Sequence, residues 1–178
     1  MDRKIIIFIV AMLALVGCKE NKWMEWKVQN EMWLEQNIAN DPQVHETASG
    51  LQYKIIADPG ALNGEAIPNS NSIITCDYRI RLINGYVLQY EGPTFGGKES
   101  ATFNLSNCIP GFTEGCHLIH SSGDIMLFIP AYLGYDYQKY EDNDAYNAEG
   151  YGTEGTQAYI PPYSTLIYEI HLCAVSGQ

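Results

Sequence analysis

The sequence predicts an α+β domain in which about five mostly antiparallel strands wrap around one short central helix, with a separate helix at the N-terminus. Several segments alternate apolar and polar residues with a period of two, which is typical of half-buried strands. Turn-forming residues separate these segments, and Asn84-Gly85 is a strong hairpin signal. Residues 20–40 contain no glycine or proline and are rich in helix-forming residues.

The N-terminus has the features of an export signal. "DRK" at residues 2–4 precedes an apolar run over residues 5–16, which is too short to cross a bilayer. The run leads into "LVGC", which resembles the lipobox of exported bacterial lipoproteins. The resemblance implies that residues 1–17 are a signal peptide and that the Cys18 thiol is lipidated. The protein would then be held in the cell envelope, on the periplasmic face or at the outer membrane. An ordinary secretory signal that is cleaved nearby remains the alternative.

The next segment, residues 18–48, is predicted to be a helix followed by a linker. Trp23, Trp26 and Trp33 fall at i, i+3 and i+10, which places them on one helix face. That face is expected to be widened by Val28, Met32 and Leu34. We expect it to pack on the main domain or on a second copy of the chain, which would make the protein a dimer through this helix. A surface for client chains or lipid headgroups is the alternative.

Period-two alternation begins at Ser49 and recurs to the end of the chain. In "SIITCDYRIRL" every second residue from Ile74 to Leu82 is apolar, so this strand should bury one face. The other alternating segments are, in chain order, "SGLQYKII", "YVLQY", "ATFNLSN", "DIMLFIP" and "STLIYEIHL". The segment "IPGFTEGCHLIH", which lies between "ATFNLSN" and "DIMLFIP", is predicted to contain one or two helical turns. This order favours a sheet with a short helix packed on one face.

Charge and composition exclude several classes of function. The formal net charge of −11 argues against duplex nucleic acid as a partner. The sequence has no zinc-type Cys/His spacing, phosphate loop or dinucleotide fingerprint, so we expect no metal and no cofactor. Four cysteines follow Cys18, which allows three pairings in an oxidising compartment. Because Cys76 lies on the apolar face of its strand, we expect it to be a buried free thiol and keep a disulfide as the alternative.

The order of the motifs identifies a family resemblance. "SGLQYKII", "DYRIRLINGYVL", "FNLSNCIPGFTEG", "LFIPAYLGY" and "YIPPYSTLIYEIHL" together resemble the FKBP family of peptidyl-prolyl cis-trans isomerases. Exported bacterial members with an N-terminal helix are the most similar. The resemblance covers residues 49–173 and is most specific at "IPGFTEG" and "IPPYSTLIYEI". It implies an FKBP-like domain over residues 49–178 that isomerises X-Pro bonds.

This activity needs no nucleophile and no acid–base pair. Rotation about the X-Pro amide is slow because C–N resonance gives a barrier of about 20 kcal/mol. Twisting the amide removes the resonance and makes the carbonyl less polar, so a dry aromatic pocket favours the twisted state over the planar one. The sequence accordingly contains no convincing Ser/His/Asp or Cys/His arrangement.

The resemblance also implies which residues form the pocket. Tyr78 would line it from the second strand, the backbone N–H of Ile109 would bind a carbonyl of the ligand, and the Tyr135 hydroxyl would donate to the bound peptide. Tyr168 matches an aromatic wall position that usually holds Phe, and Phe112 matches the floor. The remaining expected contacts are Cys108, just before Ile109, and Tyr159 and Ile160 at an apolar rim.

Three positions depart from the family pattern and favour a wider, less aromatic and less polarised pocket. The floor residue is usually Trp, and Phe112 has a smaller ring to stack on proline. The hairpin strand usually carries Phe-Asp, whereas this chain has Leu88-Gln89 and lacks the negative charge. A further aromatic wall site is matched by Ala101.

The flap at about residues 136–158 is the largest departure. It is roughly fifteen residues longer than the resemblance implies, and loops of such length are usually either functional or disordered. Its tyrosines and acids would grip an extended client, or it would be a solvated insertion; the sequence supports both equally. "EDNDAYNAEG" within it has the oxygen ligands of a calcium site but lacks the regular spacing of a calcium loop.

We therefore predict a prolyl isomerase that assists the folding of exported proteins. Its partners would be proline-containing segments of those proteins, and it would reach the membrane through its lipid anchor. The alternative is a catalytically weak or inactive FKBP-like module that binds peptides in the cell envelope. Leu88-Gln89, Ala101 and Phe112 favour the binding module, whereas the retained tyrosines and Ile109 favour the enzyme.

Overall fold

The computed structural model describes residues 23–135, 151–152 and 159–177. The predicted signal peptide, the predicted lipidation site Cys18 and most of the long flap lie outside these residues. Within them the chain forms three α-helices and seven β-strands.

The first helix, α1 (Met24–Asn40), turns its tryptophans toward the chain's own domain. Trp33 lies against Phe128, with the two ring centroids 5.7 Å apart. Both belong to a small apolar cluster that also contains Val44 and Ile167. The tryptophan face predicted from the sequence therefore packs on the chain's own main domain, which is the first of the two arrangements that we expected.

A buried asparagine fixes α1 to the domain. The Asn30 side chain is only 2% exposed. Its Oδ1 accepts a hydrogen bond of 2.7 Å from the backbone N–H of Thr165, and its Nδ2 donates one of 2.8 Å to the Trp26 carbonyl. The Trp26 indole N–H donates to Ser164 Oγ at 3.0 Å. These bonds connect the helix to the segment that leads into the last strand.

The opposite face of α1 carries an apolar row of Met24, Val28 and Met32. Their spacing of four residues places them side by side, and their exposed fractions are 43%, 45% and 51%. Val28 and Met32 were expected to widen the tryptophan face, and that expectation is wrong. Two residues turn a helix by about 200°, so Val28 points away from the side on which Trp26 lies. None of the helices in the described ranges combines the length and hydropathy that crossing a membrane requires.

One antiparallel sheet forms the body of the domain. Its strands are β1 (His45–Glu46), β2 (Gln52–Ala57), β3 (Ile73–Leu82), β4 (Val87–Glu91), β5 (Ala101–Asn104), β6 (Asp124–Ile129) and β7 (Leu166–Ser176). The strand order is β1-β2-β6-β7-β3-β4, and β5 also pairs with β3. The last strand of the chain therefore lies in the middle of the sheet, between β6 and β3.

The structure has seven strands where about five were predicted, and β1 is the one without an alternating segment in the sequence. β1 has only two residues, which is too short to show alternation in the sequence. β3 is ten residues long, so β5 pairs with its first half and β4 with its second half. Alternation correctly predicted the buried face of β3, where Ile74 and Cys76 are fully buried.

Two short helices complete the domain, α2 (Gly60–Asn63) and α3 (Pro110–Cys116). α3 packs closely on β6 because two of its residues lack side chains. A Cβ added at Gly115 would lie 2.3 Å from a methyl carbon of Leu127, and one at Gly111 would lie 2.5 Å from Ile129. This close approach holds α3 against the sheet.

The cysteines of the described chain are free thiols. They are Cys76, Cys108, Cys116 and Cys173. Cys76 is fully buried, and its burial raises the pKa of its thiol to about 12. The expectation of a buried free thiol at this position is confirmed.

Candidate active site

A cavity of about 320 Å³ opens between α3 and the concave face of the sheet. It is lined by Tyr78, Ile80, Gln89, Phe103, Asn107, Cys108, Ile109, Phe112, Tyr135, Tyr151 and Tyr168. These residues come from β3, β4, β5, α3, β7 and the connections between them. Seven of the eleven residues predicted for the pocket are therefore brought together.

Four aromatic side chains from four elements form the base and walls of the cavity. The Phe103 ring lies edge-on to Tyr78 and to Phe112, at centroid distances of 5.5 and 5.6 Å. The Tyr168 ring lies 5.3 Å from Phe112 and 6.4 Å from Tyr78. Tyr78, Phe112 and Tyr168 are each at most 5% exposed. Pairs at these distances prefer such tilted and edge-on arrangements, so the rings fix one another in place.

Phe103 supplies the aromatic wall that the sequence analysis considered lost at Ala101. The two residues lie on the same side of β5 because side chains of a strand alternate with a period of two. Ala101 pairs with Cys76 and does not line the cavity, whereas Phe103, two residues further on, reaches it. The prediction of a missing wall at Ala101 is therefore corrected, and the cavity is more aromatic than the sequence suggested. The same period-two alternation could have identified Phe103.

The hairpin pair Leu88-Gln89 divides between two environments. Leu88 is 6% exposed and belongs to the hydrophobic core, not to the cavity lining, so its predicted substrate contact is not supported. Gln89 faces the cavity. Within the described part of the chain its side chain makes no hydrogen bond, so it is available to a ligand.

Two hydrogen-bond donors lie at the cavity. Ile109 takes an extended conformation as the residue before Pro110, at the N-terminus of α3. Its carbonyl accepts from the N–H groups of Phe112 and Thr113, at 3.1 and 3.2 Å. Its own N–H has no acceptor among the residues that the structure describes. The second donor is the Tyr135 hydroxyl.

The side chains of Tyr135 and Tyr168 interact with each other at the cavity. Burial raises the pKa of both side chains above the ordinary value of tyrosine. Burial and the nearby Glu91 carboxylate raise the pKa of Tyr78 to about 12. All three hydroxyls are therefore neutral donors at physiological pH.

Cys108 lines the cavity as a neutral thiol. Its Sγ lies 3.5 Å from the Asn104 carbonyl oxygen, to which it donates. Burial raises the pKa of this thiol, so the reactive thiolate is disfavoured. Its role in the cavity is that of an apolar wall.

The predicted rim residues Tyr159 and Ile160 do not line the cavity. The Tyr159 ring lies 6.2 Å from the Trp23 ring, and Ile160 is buried. Ile160 instead forms an isolated bridge with Tyr151, through two backbone hydrogen bonds of 2.9 Å. Tyr151 takes the rim position, and its ring stacks on Tyr135 at a centroid distance of 4.2 Å. The rest of the flap, with the "EDNDAYNAEG" segment, lies outside the described residues.

An acidic side chain behind the cavity holds the loop between β4 and β5. Asp77 alternates with the apolar residues of β3 and so lies on its polar face, yet it is only 3% exposed. Its carboxylate accepts from the Thr94 N–H at 2.9 Å and from Ser100 Oγ at 2.6 Å. Burial acts to raise the pKa of Asp77, but these hydrogen bonds outweigh it and the pKa lies below its usual value. Asp77 thus anchors the loop that leads to Phe103.

The chemistry available at this site is binding and orientation. The cavity offers aromatic faces, the Ile109 N–H, tyrosine hydroxyls and the amide side chains of Gln89 and Asn107. No group of His, Cys, Asp or Glu within the described residues could hold a metal ion.

Comparisons with known proteins agree with this geometry. The family model described as FKBP-type peptidyl-prolyl cis-trans isomerase matches residues 64–173. A probable FKBP-type peptidyl-prolyl cis-trans isomerase FkpA from Neisseria meningitidis serogroup B is 35% identical over 152 residues, which cover 85% of this chain and 47% of the relative. The outer membrane protein MIP of Legionella longbeachae is 33% identical over 151 residues, which cover 85% and 54% of the two chains. This chain thus spans about half the length of these curated relatives.

Solved structures show the same fold. The crystal structure of FkpA from Escherichia coli matches with a TM-score of 0.64 at 25% identity, covering 99% of this chain and 73% of that one. A peptidyl-prolyl cis-trans isomerase from Pseudomonas syringae pv. tomato matches with a TM-score of 0.66, covering 90% of this chain and all of the other. Its identity of 20% makes it informative about the fold alone.

Proposed function

Because the chain belongs to the FKBP-type peptidyl-prolyl cis-trans isomerase family, we propose that its cavity binds proline and catalyses rotation of the amide that precedes it. The observation that carries the proposal is the set of four packed aromatic rings beside the Ile109 N–H and the Tyr135 hydroxyl. The proline ring would lie on Phe112, between Tyr78, Phe103 and Tyr168. A volume of about 320 Å³ accommodates a proline and part of its neighbours.

The walls of the cavity would act on the amide through its polarity. The planar amide is strongly polar, and an apolar aromatic site solvates it poorly, while the twisted amide loses less on leaving water. The Ile109 N–H and the Tyr135 hydroxyl would hold backbone carbonyls on the two sides of the proline. Twisting the amide only returns the lone pair to nitrogen and breaks no bond. No proton therefore has to leave the substrate.

Two features favour a second function, that of a peptide-binding module with weak catalysis. Phe112 gives less ring area than an indole, and Gln89 lacks a carboxylate that could polarise the cavity. Both changes would weaken interactions that could favour the twisted amide over the planar one.

Turnover of an X-Pro peptide separates the two functions. We expect micromolar protein to accelerate cis-trans exchange in a protease-coupled assay, and Phe112→Ala to remove most of the acceleration. Tyr86→Ala, which changes an exposed tyrosine at the hairpin turn, is the matched control. If the wild type binds the peptide in a Phe112-dependent way but exchange stays at the uncatalysed rate, the protein is a binding module.

We further propose that the protein is anchored by lipid in the cell envelope and assists the folding of exported proteins there. The "DRK" residues, the apolar run and "LVGC" support this, as does a relative whose name places it in an outer membrane. Labelling cells with a fatty acid should mark the protein, and Cys18→Ala should abolish the label. Cys173→Ala is the control, and retention of the label in Cys18→Ala would exclude the anchor at this residue.

A dimer through α1 would use the apolar row of Met24, Val28 and Met32, because the tryptophan face is already covered. Val28→Lys should shift the molar mass measured by light scattering from dimer to monomer. Leu62→Lys, on the exposed helix α2, is the control, since Leu62 is 91% exposed and lies outside α1. A wild-type monomer at tens of micromolar would contradict the dimer.

A further inference from the structure

A second groove lies between the start of α1 and the hairpin that joins β3 to β4. It has a volume of about 360 Å³, which is within the range of small-molecule sites. It is lined by Trp23, Glu25, Trp26, Gln29, Leu82, Asn84 and Pro161. None of these residues lines the aromatic cavity described above, so the groove is a separate site.

The aromatic walls of this groove are held in place by the rest of the chain. Trp26 packs against the hydrophobic core. Its indole N–H donates to Ser164 Oγ at 3.0 Å, and the Ser164 hydroxyl donates in turn to the Pro161 carbonyl at 2.7 Å. The Trp23 ring lies 6.2 Å from the ring of Tyr159. Because these contacts exist before a ligand arrives, little side-chain entropy is lost when one binds.

The rim of the groove carries polar groups on both sides. Glu25 and Gln29 lie one helical turn apart on α1, and Gln29 Nε2 donates to Glu25 Oε1 at 3.3 Å. Across the groove, Asn84 Oδ1 accepts from the Tyr86 N–H at 3.0 Å. Among the residues that the structure describes, Gln29 Oε1, Glu25 Oε2 and Asn84 Nδ2 make no hydrogen bond. Two acceptors therefore face a donor across the indole rings.

The charges of the lining exclude several kinds of ligand. Glu25 is the one charged residue of the lining, and none of the lining residues is basic. A phosphate or a carboxylate would be repelled by Glu25 and would find no cation. A wholly apolar ligand would cover three polar side chains without giving them partners, which costs free energy.

A sugar ring satisfies both parts of the groove. One face of a pyranose presents C–H groups, which can pack on an indole. Its hydroxyls project from the edge of the ring, and each of them can both donate and accept a hydrogen bond. They can therefore use the acceptors on α1 and the donor of Asn84 at the same time.

We propose that this groove binds a neutral sugar ring of a glycan. The ring would pack on the indoles of Trp23 and Trp26, with hydroxyls bonded to Glu25, Gln29 and Asn84. The inference does not rest on the proposed isomerase activity, because the two sites share no lining residue. Its consequence would be a protein that is held on a polysaccharide while its aromatic cavity stays open.

NMR titration of the full chain with neutral oligosaccharides tests the proposal. Chitotetraose, cellotetraose and maltotetraose are added separately, and the indole N–H signals of the three tryptophans are followed. We expect at least one sugar to shift the Trp23 and Trp26 signals saturably, while the signal of Trp33, which packs on Phe128, stays in place. If none of the three sugars shifts them at up to about 20 mM, the proposal is wrong.

Variants of the polar rim test the contacts. Gln29→Ala should weaken binding of the sugar by about two- to tenfold, the range for one lost hydrogen bond. Gln36→Ala is the matched control, because it removes an exposed amide from the same helix outside the groove, and it should leave Kd unchanged. Asn84→Asp keeps the oxygen that accepts from Tyr86 but removes the donor, so it should also weaken binding. Wild-type Kd values in both rim variants would contradict the proposal.

Two competing ligands separate a sugar site from other kinds of site. Choline is a cation that indoles and a carboxylate could hold. If choline shifts the tryptophan signals and no neutral sugar does, the groove is a cation site and the proposal is wrong. Glu25→Gln, which keeps an acceptor without the charge, should retain sugar binding within about twofold. An X-Pro peptide should not displace the sugar, and displacement would contradict a separate site. Failure of the isomerase assay would leave these titrations unaffected.

Discussion

Replacing Asn30 by alanine tests how the N-terminal helix is held to the rest of the domain. Asn30 is almost completely buried, and its Oδ1 is the acceptor for the Thr165 N–H at 2.7 Å. In Asn30→Ala that N–H loses its acceptor in a place that water does not reach. The Trp26 carbonyl, in contrast, lies within α1 and keeps a main-chain partner.

The expected loss follows from the unpaired N–H and the small space left by the side chain. A buried donor without a partner costs about 1–3 kcal/mol. We therefore expect Asn30→Ala to lower the free energy of unfolding by about 2 kcal/mol. For a chain of this size that corresponds to a fall in Tm of about 4–8 °C.

Urea titration followed by tryptophan fluorescence, with calorimetry for Tm, measures this loss. Gln36→Ala is the matched control, because it removes an exposed amide from the same helix and should change stability by less than about 0.5 kcal/mol. If Asn30→Ala is no less stable than Gln36→Ala, the hydrogen bond to Thr165 does not hold the helix. Prolyl isomerase activity below the transition should stay near the wild-type value, because Asn30 does not line the cavity.

Three further predictions concern the cavity and its support. Phe112→Trp should strengthen peptide binding by about two- to tenfold through the larger ring, and an unchanged Kd would argue against Phe112 as the floor. Between pH 6 and 9 kcat/KM should be independent of pH, because burial holds the tyrosine pKa values above this range; a bell-shaped profile would instead reveal an acid or base in the mechanism. Asp77 has a folded pKa below its unfolded value of about 4, so its stabilisation is present above that pH and is lost as the pH falls through the lower folded value. Acid titration of stability should accordingly be steeper for wild type than for Asp77→Asn, and equal slopes would contradict the assignment.

Local patterns were sufficient for most of the fold. Alternation predicted the buried face of β3, and Pro110 followed by glycines predicted α3, because each signal lies within a few neighbouring residues. β1 could not be predicted, since a strand of two residues has no period. The outward position of Val28 could have been derived from helix geometry alone, whereas the burial of Asn30 depends on Thr165, 135 residues away.

The sequence predicted the cavity residues well within the motifs that carry the family resemblance, and less well outside those motifs. Tyr78, Ile109, Phe112, Tyr135 and Tyr168 all reach one cavity. The family resemblance placed Leu88 and Ala101 in the pocket. In the structure Leu88 belongs to the hydrophobic core, and Ala101 does not line the cavity. Tyr151 could not have been singled out among the tyrosines of the flap, because its place depends on a bridge to Ile160 that no local pattern encodes.

The central position of β7 has a consequence for when this protein can fold. Without residues 166–176, the sheet separates into β1-β2-β6 on one side and β3 with β4 and β5 on the other, because β7 is the only strand that joins them in the described chain. A chain still emerging from a ribosome or a translocation channel therefore cannot complete its core or its cavity. Such long-range pairing makes folding a late event. If the chain is exported as proposed, this order would keep it open until its last strand has crossed.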